Sequence, residues 1–71
     1  MSDDDKKKLA ALLDYWVEHN AEHGEEFREW ADKAREPEDS AVREELLDAV
    51  GFMTKANDSL VRARQKLGDV A

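Results

Sequence analysis

The sequence has no cysteine, so the chain forms neither disulfide bonds nor thiolate metal sites. It also has only three glycines, which leaves no glycine-rich loop of the kind that cradles phosphate. A nucleophile elbow and a Ser/His/Asp arrangement are missing as well. We therefore expect no catalytic residues and no enzymatic activity, and the lack of cysteine is typical of a cytoplasmic protein.

Two further features are missing, a long apolar run and an excess of basic charge. No segment approaches the roughly 20 apolar residues that span a membrane, and no apolar run follows the charged N-terminus. The formal net charge is −7, with 18 acidic and 11 basic residues. Because nucleic acids and anionic membranes attract basic surfaces, we expect neither as a partner.

The apolar residues that are present recur with helical spacing. In the first half of the chain the expected seam, the line of side chains that faces a partner helix, runs through positions 9, 13, 16, 20, 23, 27, 30 and 34. Pro37 interrupts this pattern, because proline disfavours helical geometry in the residue before it. A second series follows from Val42 to Leu67, and Gly68 suits its end.

These patterns predict one all-α domain over residues 1–71. The expected architecture is an antiparallel helical hairpin with helices at about 4–35 and 39–67. Gly24 raises an alternative, because glycine weakens a helix interior and often ends helices. A break there gives a three-helix bundle instead, although the heptad spacing continues across the glycine.

A two-helix hairpin of 71 residues buries little apolar surface, so a second subunit is expected. Leu47, Val50 and Val61 form an apolar stripe beside the seam of the second helix, which one partner helix cannot cover. We therefore predict a homodimer that forms a four-helix bundle. The core and interface residues predicted in this way are Trp16, Phe27, Trp30, Leu46, Leu47, Val50, Met53, Leu60 and Val61.

One layer of the predicted seam is polar. If the turn is centred near residue 37 or 38, Asn20 falls between Met53 and Asn57, so that Asn20 and Asn57 form a polar layer. An asparagine in such a position lowers stability but fixes register and partner geometry. We expect this structural role for both asparagines.

Both histidines of the chain lie next to this layer and are four residues apart. His19 and His23 therefore share a helix face, where two imidazoles can bind one divalent ion. Glu22 and Glu26 are candidate carboxylate ligands, and zinc or nickel suits such donors. Two histidines fill only half of a tetrahedral shell, so a dimer is needed to supply a second pair. In the alternative interpretation His23 is hydrogen-bonded to Asn57 or to water, and His19 is solvated.

The sequence thus predicts a small, non-catalytic binding or accessory protein that binds a divalent metal ion or a partner protein. The alternative is a purely structural helical dimerisation module without a metal. The segment from His19 to His23 also matches the H-x-x-E-H pattern of zinc peptidases, but a two-helix hairpin offers neither a further ligand nor a substrate cleft. A di-iron site is disfavoured, because Trp16 and Asn20 stand where glutamate is required.

Trp16, His19, Asn20 and His23 form a W-x-x-H-N-x-x-H motif, which is followed by Phe27-Arg28-x-Trp30-Ala31. This pattern resembles that of a group of short prokaryotic helical proteins and domains of unknown function. The resemblance implies a similarity over nearly the whole chain, with the Trp, His and Asn cluster as the functional centre. It also favours a continuous first helix, because members of the group accept alanine at the glycine between the two segments.

Overall fold

The computed structural model describes residues 1–69, in which the chain forms a hairpin of two long helices. Helix α1 spans Asp3–Lys33, a 3-10 turn spans Pro37–Asp39, and helix α2 spans Ser40–Leu67. The two helices pack antiparallel in an elongated body of 53 × 14 × 14 Å. Within the described residues there is no strand. The predicted all-α hairpin is therefore confirmed.

Local chemistry explains where α1 begins and ends. The Ser2 hydroxyl accepts a hydrogen bond of 3.1 Å from the Asp5 amide, so it satisfies one of the free N–H groups of the first turn. At its other end α1 stops at Lys33, slightly earlier than the predicted residue 35. The reason is Pro37, which holds Glu36 in an extended conformation with ψ of 151°.

Helix α2 begins with backbone hydrogen bonds and ends at a glycine. Asp39 is its N-cap residue, but the Asp39 side chain makes no cap hydrogen bond. The 3-10 turn supplies bonds in its place, since the Asp39 amide donates to the Glu36 carbonyl and the Ser40 amide to the Pro37 carbonyl. Gly68 ends the helix with φ of 76°, a left-handed value that favours glycine.

Helix α1 passes through Gly24 without a break, so the alternative of a three-helix bundle is wrong. The backbone at Gly24 has an ordinary negative φ, because Gly68 is the one positive-φ residue in the described part of the chain. A Cβ atom built on Gly24 meets no atom within 4 Å. Glycine is therefore tolerated at this position rather than required by it, and packing against α2 on both sides keeps the helix continuous.

The observed seam of α1 is rotated from the predicted one at alternate positions. Of the predicted seam residues, Trp16 and Trp30 are exposed, and the rest are buried or half-buried, namely Leu9, Leu13, Asn20, His23, Phe27 and Ala34. The seam also includes small side chains next to the predicted positions, namely Ala10, Val17, Gly24 and Ala31. Ala31 is 1% exposed whereas Trp30 is 60% exposed. Small side chains let the helix axes approach closely, which a column with two tryptophans prevents.

Helix α2 shows the same rotation. Its buried and half-buried residues are Arg43, Leu46, Ala49, Val50, Met53, Asn57, Leu60, Arg64 and Leu67. Val50 is therefore buried against α1, and its predicted place in a side stripe is wrong. Leu47 and Val61 remain on the surface, as do Trp16 and Trp30. These four predicted interface residues can be buried only by another molecule.

Hydrogen bonds between the helices define their register. Asn20 pairs with Asn57, and an Arg43 guanidinium nitrogen donates to the Ala34 carbonyl at 3.4 Å. Both pairs are centred between residues 38 and 39, slightly later than the predicted centre at 37 or 38. The difference arises because the chain completes a 3-10 turn before α2 begins.

The hairpin leaves much apolar surface in contact with solvent. Its accessible surface is 5472 Å², whereas a compact monomer of this size exposes about 4,500 Å². The buried hydrophobic residues within 1–69 are Ala10, Leu13, Ala31 and Val50. The large exposed ones include Leu12, Tyr15, Trp16, Trp30, Val42 and Phe52. In the same range, neither helix has the length and apolarity that crossing a bilayer requires.

Candidate metal centre

His19 and His23 lie one turn apart on α1, and their rings turn toward each other. The Nε2 atoms of the two rings are 3.0 Å apart, and the ring planes are nearly perpendicular, at 83°. His19 is exposed, and His23 is half-buried at the edge of the seam. The structure thus brings together the two nitrogen atoms that a shared ion needs.

The distance between these nitrogens is compatible with a bound ion. Zinc binds imidazole nitrogen at about 2.0–2.1 Å, so two nitrogens of one tetrahedral ion lie about 3.3 Å apart. The observed separation of 3.0 Å is slightly shorter, and a small rotation of either ring is enough to reach that value. Without an ion, the same separation fits one N–H···N hydrogen bond between the rings.

The two carboxylates predicted as ligands take different positions. Oε2 of Glu26 lies 4.0 Å from Nδ1 of His23, the ring nitrogen that does not face His19. A carboxylate there favours a hydrogen on Nδ1, which leaves the Nε2 lone pair free for an ion. Glu22 is exposed and lines a shallow depression beside His19. The Glu26 carboxylate therefore lies on the Nδ1 side of His23, away from the Nε2 atom that faces His19.

Both histidines belong to an aromatic column, which is formed by Tyr15, His19, His23 and Phe27 at intervals of four residues. The Tyr15 and His19 ring centres are 5.3 Å apart and nearly parallel, at 13°. The His23 and Phe27 centres are 6.1 Å apart, at 22°. Stacking on an aromatic neighbour limits the rotation of each imidazole. Tyr15 was not predicted as part of the site, although the i, i+4 spacing of the four rings indicates it.

One chain supplies an incomplete set of ligands. Among residues 1–69, no group of three or more His, Asp or Glu side chains is arranged to hold a metal ion. The histidine pair provides two nitrogens, and a tetrahedral ion needs four donors. Water or a second molecule must therefore provide the remaining donors of any ion bound here.

The two asparagines of the polar layer bind each other and the backbone. Asn20 Nδ2 donates to Asn57 Oδ1 at 3.0 Å, and Asn57 Nδ2 donates to the Val17 carbonyl, also at 3.0 Å. Both side chains are half-buried between the helices. Because Asn57 is engaged in this way, the His23 side chain contacts His19, Glu26 and Phe27 instead.

The fold and the site define a class of protein, a small helical hairpin that carries a paired-histidine cluster on one exposed helix surface. The chain belongs to a family described as a domain of unknown function, DUF8180, whose model matches residues 9–67. The matched range contains the whole W-x-x-H-N-x-x-H segment, Trp16 to His23. No curated protein and no solved structure matches the chain.

Proposed function

We propose that the chain is a non-catalytic accessory protein that binds a divalent metal ion through Nε2 of His19 and Nε2 of His23. The observation that carries this proposal is the approach of these two nitrogens to 3.0 Å. Imidazole donors without thiolate favour zinc or nickel over copper(I).

The surroundings of the pair support this proposal. Tyr15 and Phe27 stack on the outer faces of the two imidazoles, so less ring motion is lost when an ion binds. The Glu26 carboxylate, 4.0 Å from Nδ1 of His23, favours the tautomer with a hydrogen on Nδ1 and a lone pair on Nε2. Because His19 is exposed, a hydrated ion has direct access to the pair.

The position of the pair also supports a binding role without catalysis. The histidines lie on the outer surface of a helix, whereas enzymes generally hold their substrates in a cleft. The acidic and cysteine-free sequence supports a cytoplasmic setting in which nucleic acid and membranes are not the partners.

A second candidate function is a structural dimerisation module that needs no metal. It is favoured by the apolar side chains left on the surface, with Phe52 68% and Trp30 60% exposed. Exposed patches of this kind are typical of protein-binding surfaces. In this case His19 and His23 only adjust packing at the interface.

Calorimetric titration with zinc and with nickel distinguishes these functions. We expect micromolar or tighter binding to the wild-type chain and none to the His19→Ala/His23→Ala double variant. A normally folded double variant that binds the metal as tightly as the wild type contradicts the proposal. If neither metal binds the wild-type chain, the structural dimerisation module is the remaining candidate function.

Two carboxylate variants with the same charge change sharpen this test. Glu22→Ala removes the exposed carboxylate beside His19, and Glu25→Ala removes one that lines a groove with Asn20 on another side of the helix. We expect both variants to bind metal about equally well, with a small loss from the reduced negative charge. A much larger loss in Glu22→Ala assigns Glu22 as a ligand.

A further inference from the structure

We infer that a second copy of the chain completes the metal site. In this arrangement the α1 helices of two copies pack antiparallel, and a twofold axis passes at the level of Ala21, midway between the histidines. Each copy supplies His19 and His23 to one shared ion. The inference rests on the metal binding proposed above and adds the source of the missing ligands.

A single chain offers an incomplete set of zinc ligands. Structural zinc sites are almost always four-coordinate and closed by side chains, but within residues 1–69 no third candidate ligand joins the histidine pair. A twofold axis doubles the set of side chains that it passes beside. Two imidazoles then become four, which satisfies a tetrahedral ion without any thiolate.

The order of side chains along α1 is partly symmetric about Ala21. The pairs at equal distances before and after Ala21 are Leu12 and Trp30, Tyr15 and Phe27, and His19 and His23. When two copies of a helix pack antiparallel around a twofold axis, residues at equal distances from the axis face each other. In this arrangement Leu12 meets Trp30 and His19 meets His23 of the second copy, whereas Trp16 meets Glu26.

Leu12, Trp30 and both histidines share one surface of α1, whereas Tyr15 and Phe27 flank it and Phe27 is half-buried beside α2. On a helix with 3.6 residues per turn, Leu12, Trp16, His19, His23 and Trp30 fall within about 60° of the circumference. Leu12 is 45% exposed and Trp30 is 60% exposed, so this surface is open in the single chain. We call it the aromatic face of α1.

The apolar surface continues from the aromatic face onto α2. Leu9 and Ala63 line one groove between the helices. Phe52 lies about three turns before Ala63, and Val42 about six turns before it. Both therefore lie on the side of the hairpin where Ala63 meets Leu9. Phe52 is 68% exposed and Val42 is 58% exposed. Both helices of each copy therefore contribute to an interface of the size that a four-helix bundle needs.

The area left exposed is enough for such an interface. The accessible surface of 5472 Å² exceeds that of a compact monomer by about 1,000 Å². One partner in a typical stable complex buries about 800 Å². If a second copy buries a typical area on the aromatic face, most of the additional exposed surface of the single chain is removed from solvent.

Charge couples the ion to the association of the two copies. Each copy carries a formal net charge of −7, so two copies repel each other at low ionic strength. A divalent cation on the axis offsets part of this repulsion and bonds to both copies. The ion is therefore expected to promote association, and association to strengthen binding of the ion.

Sedimentation and calorimetry with zinc, on the full chain, test the inference. We expect one zinc ion per two chains, a doubling of the mass on addition of zinc, and a return to monomer on chelation. One zinc ion per chain with a monomeric mass overturns the inference and leaves the proposed metal binding intact. Absence of zinc binding overturns the inference, and absence of both zinc and nickel binding overturns the proposed metal binding as well. A dimer that forms equally well without zinc also overturns the inference.

A matched pair of surface variants separates the interface from the general effect of added charge. Leu12 and Leu47 are each 45% exposed. Leu12 lies on the aromatic face, whereas Leu47 lies on the other side of the hairpin. Leu47 is two heptads before Val61, and Val61 lines a groove with Asp14 on that side. We expect Leu12→Glu to weaken zinc binding at least tenfold and to prevent the doubling of mass, although Leu12 is no ligand. Leu47→Glu should change the zinc affinity less than threefold. Equal effects of the two variants overturn the proposed interface.

Discussion

At the scale of single residues, one stretch of α1 serves the fold and the candidate site together. Asn20 faces α2 and binds Asn57, whereas His19 and His23, one residue before and three after it, turn away from that bond and toward each other. The polar layer fixes the position of the helix, and the helix positions the imidazoles. The stability of the hairpin and the geometry of the histidine pair are therefore expected to respond to different substitutions.

Removing the Asn57 amide tests the polar layer. Asn57→Ala deletes the bonds to Asn20 and to the Val17 carbonyl, so we expect the free energy of unfolding to fall by about 1–2 kcal/mol. Urea unfolding at one fixed protein concentration measures this loss. Gln65→Ala, which removes an exposed amide from the same helix, is the control and should change stability by less than about 0.5 kcal/mol. An equal loss in both variants contradicts the role of the layer.

The carboxylate behind His23 has its own test. Glu26→Gln keeps a hydrogen-bond acceptor near Nδ1 of His23 but removes the negative charge. We expect the zinc affinity to fall by up to about tenfold. This loss is small for a group that supports a metal ligand, because the contact is long and exposed. Calorimetric titration measures the change. Glu29→Gln removes the same charge one turn further along α1 and should have a smaller effect. Equal effects mean that net charge alone attracts the ion.

Spacing in the sequence accounts for part of this site. Helical periodicity places His19 beside His23 and Asn20 opposite Asn57, and both pairs are in contact in the structure. The side-chain rotamers are not encoded in spacing, so the approach of the two Nε2 atoms and the placement of Glu26 at Nδ1 could not be predicted. They depend on which way each ring turns once its neighbours are in place.

At the scale of helices, the hairpin was predictable and the packing face was not. A heptad pattern on both sides of Pro37 is sufficient to predict two antiparallel helices. The apolar stripe on α1 is wider than one seam, however, and spacing alone does not tell which edge is covered. In the structure, the edge of the stripe that contains Ala31 packs against α2, and the edge that contains Trp30 is exposed. The reason is that small side chains permit the closer approach of the helix axes.

Gly24 offers a test of this packing. Its added Cβ meets no atom within 4 Å and its φ is negative, so we expect Gly24→Ala to raise the free energy of unfolding by about 0.5–1 kcal/mol. Gly68→Ala should lower it by a similar amount, because Gly68 has φ of 76°. Thermal unfolding followed by circular dichroism measures both changes. A loss of stability in Gly24→Ala contradicts the described packing at the seam.

At the scale of the whole molecule, the shape of the single chain points to association. The radius of gyration is 16.2 Å, whereas a compact domain of this length has about 11 Å. A slender two-helix body has few places where a side chain is enclosed on all sides, so most apolar residues are only half-buried. A second hairpin on the aromatic face gives these residues the cover that one hairpin lacks.

The central claim is that imidazole nitrogens of His19 and His23 bind the metal, and X-ray absorption spectroscopy of the zinc-loaded chain tests it most directly. We predict a first shell of nitrogen atoms at about 2.0–2.1 Å, with the multiple scattering that imidazole rings produce. A shell of oxygen atoms without an imidazole signal would contradict the claim.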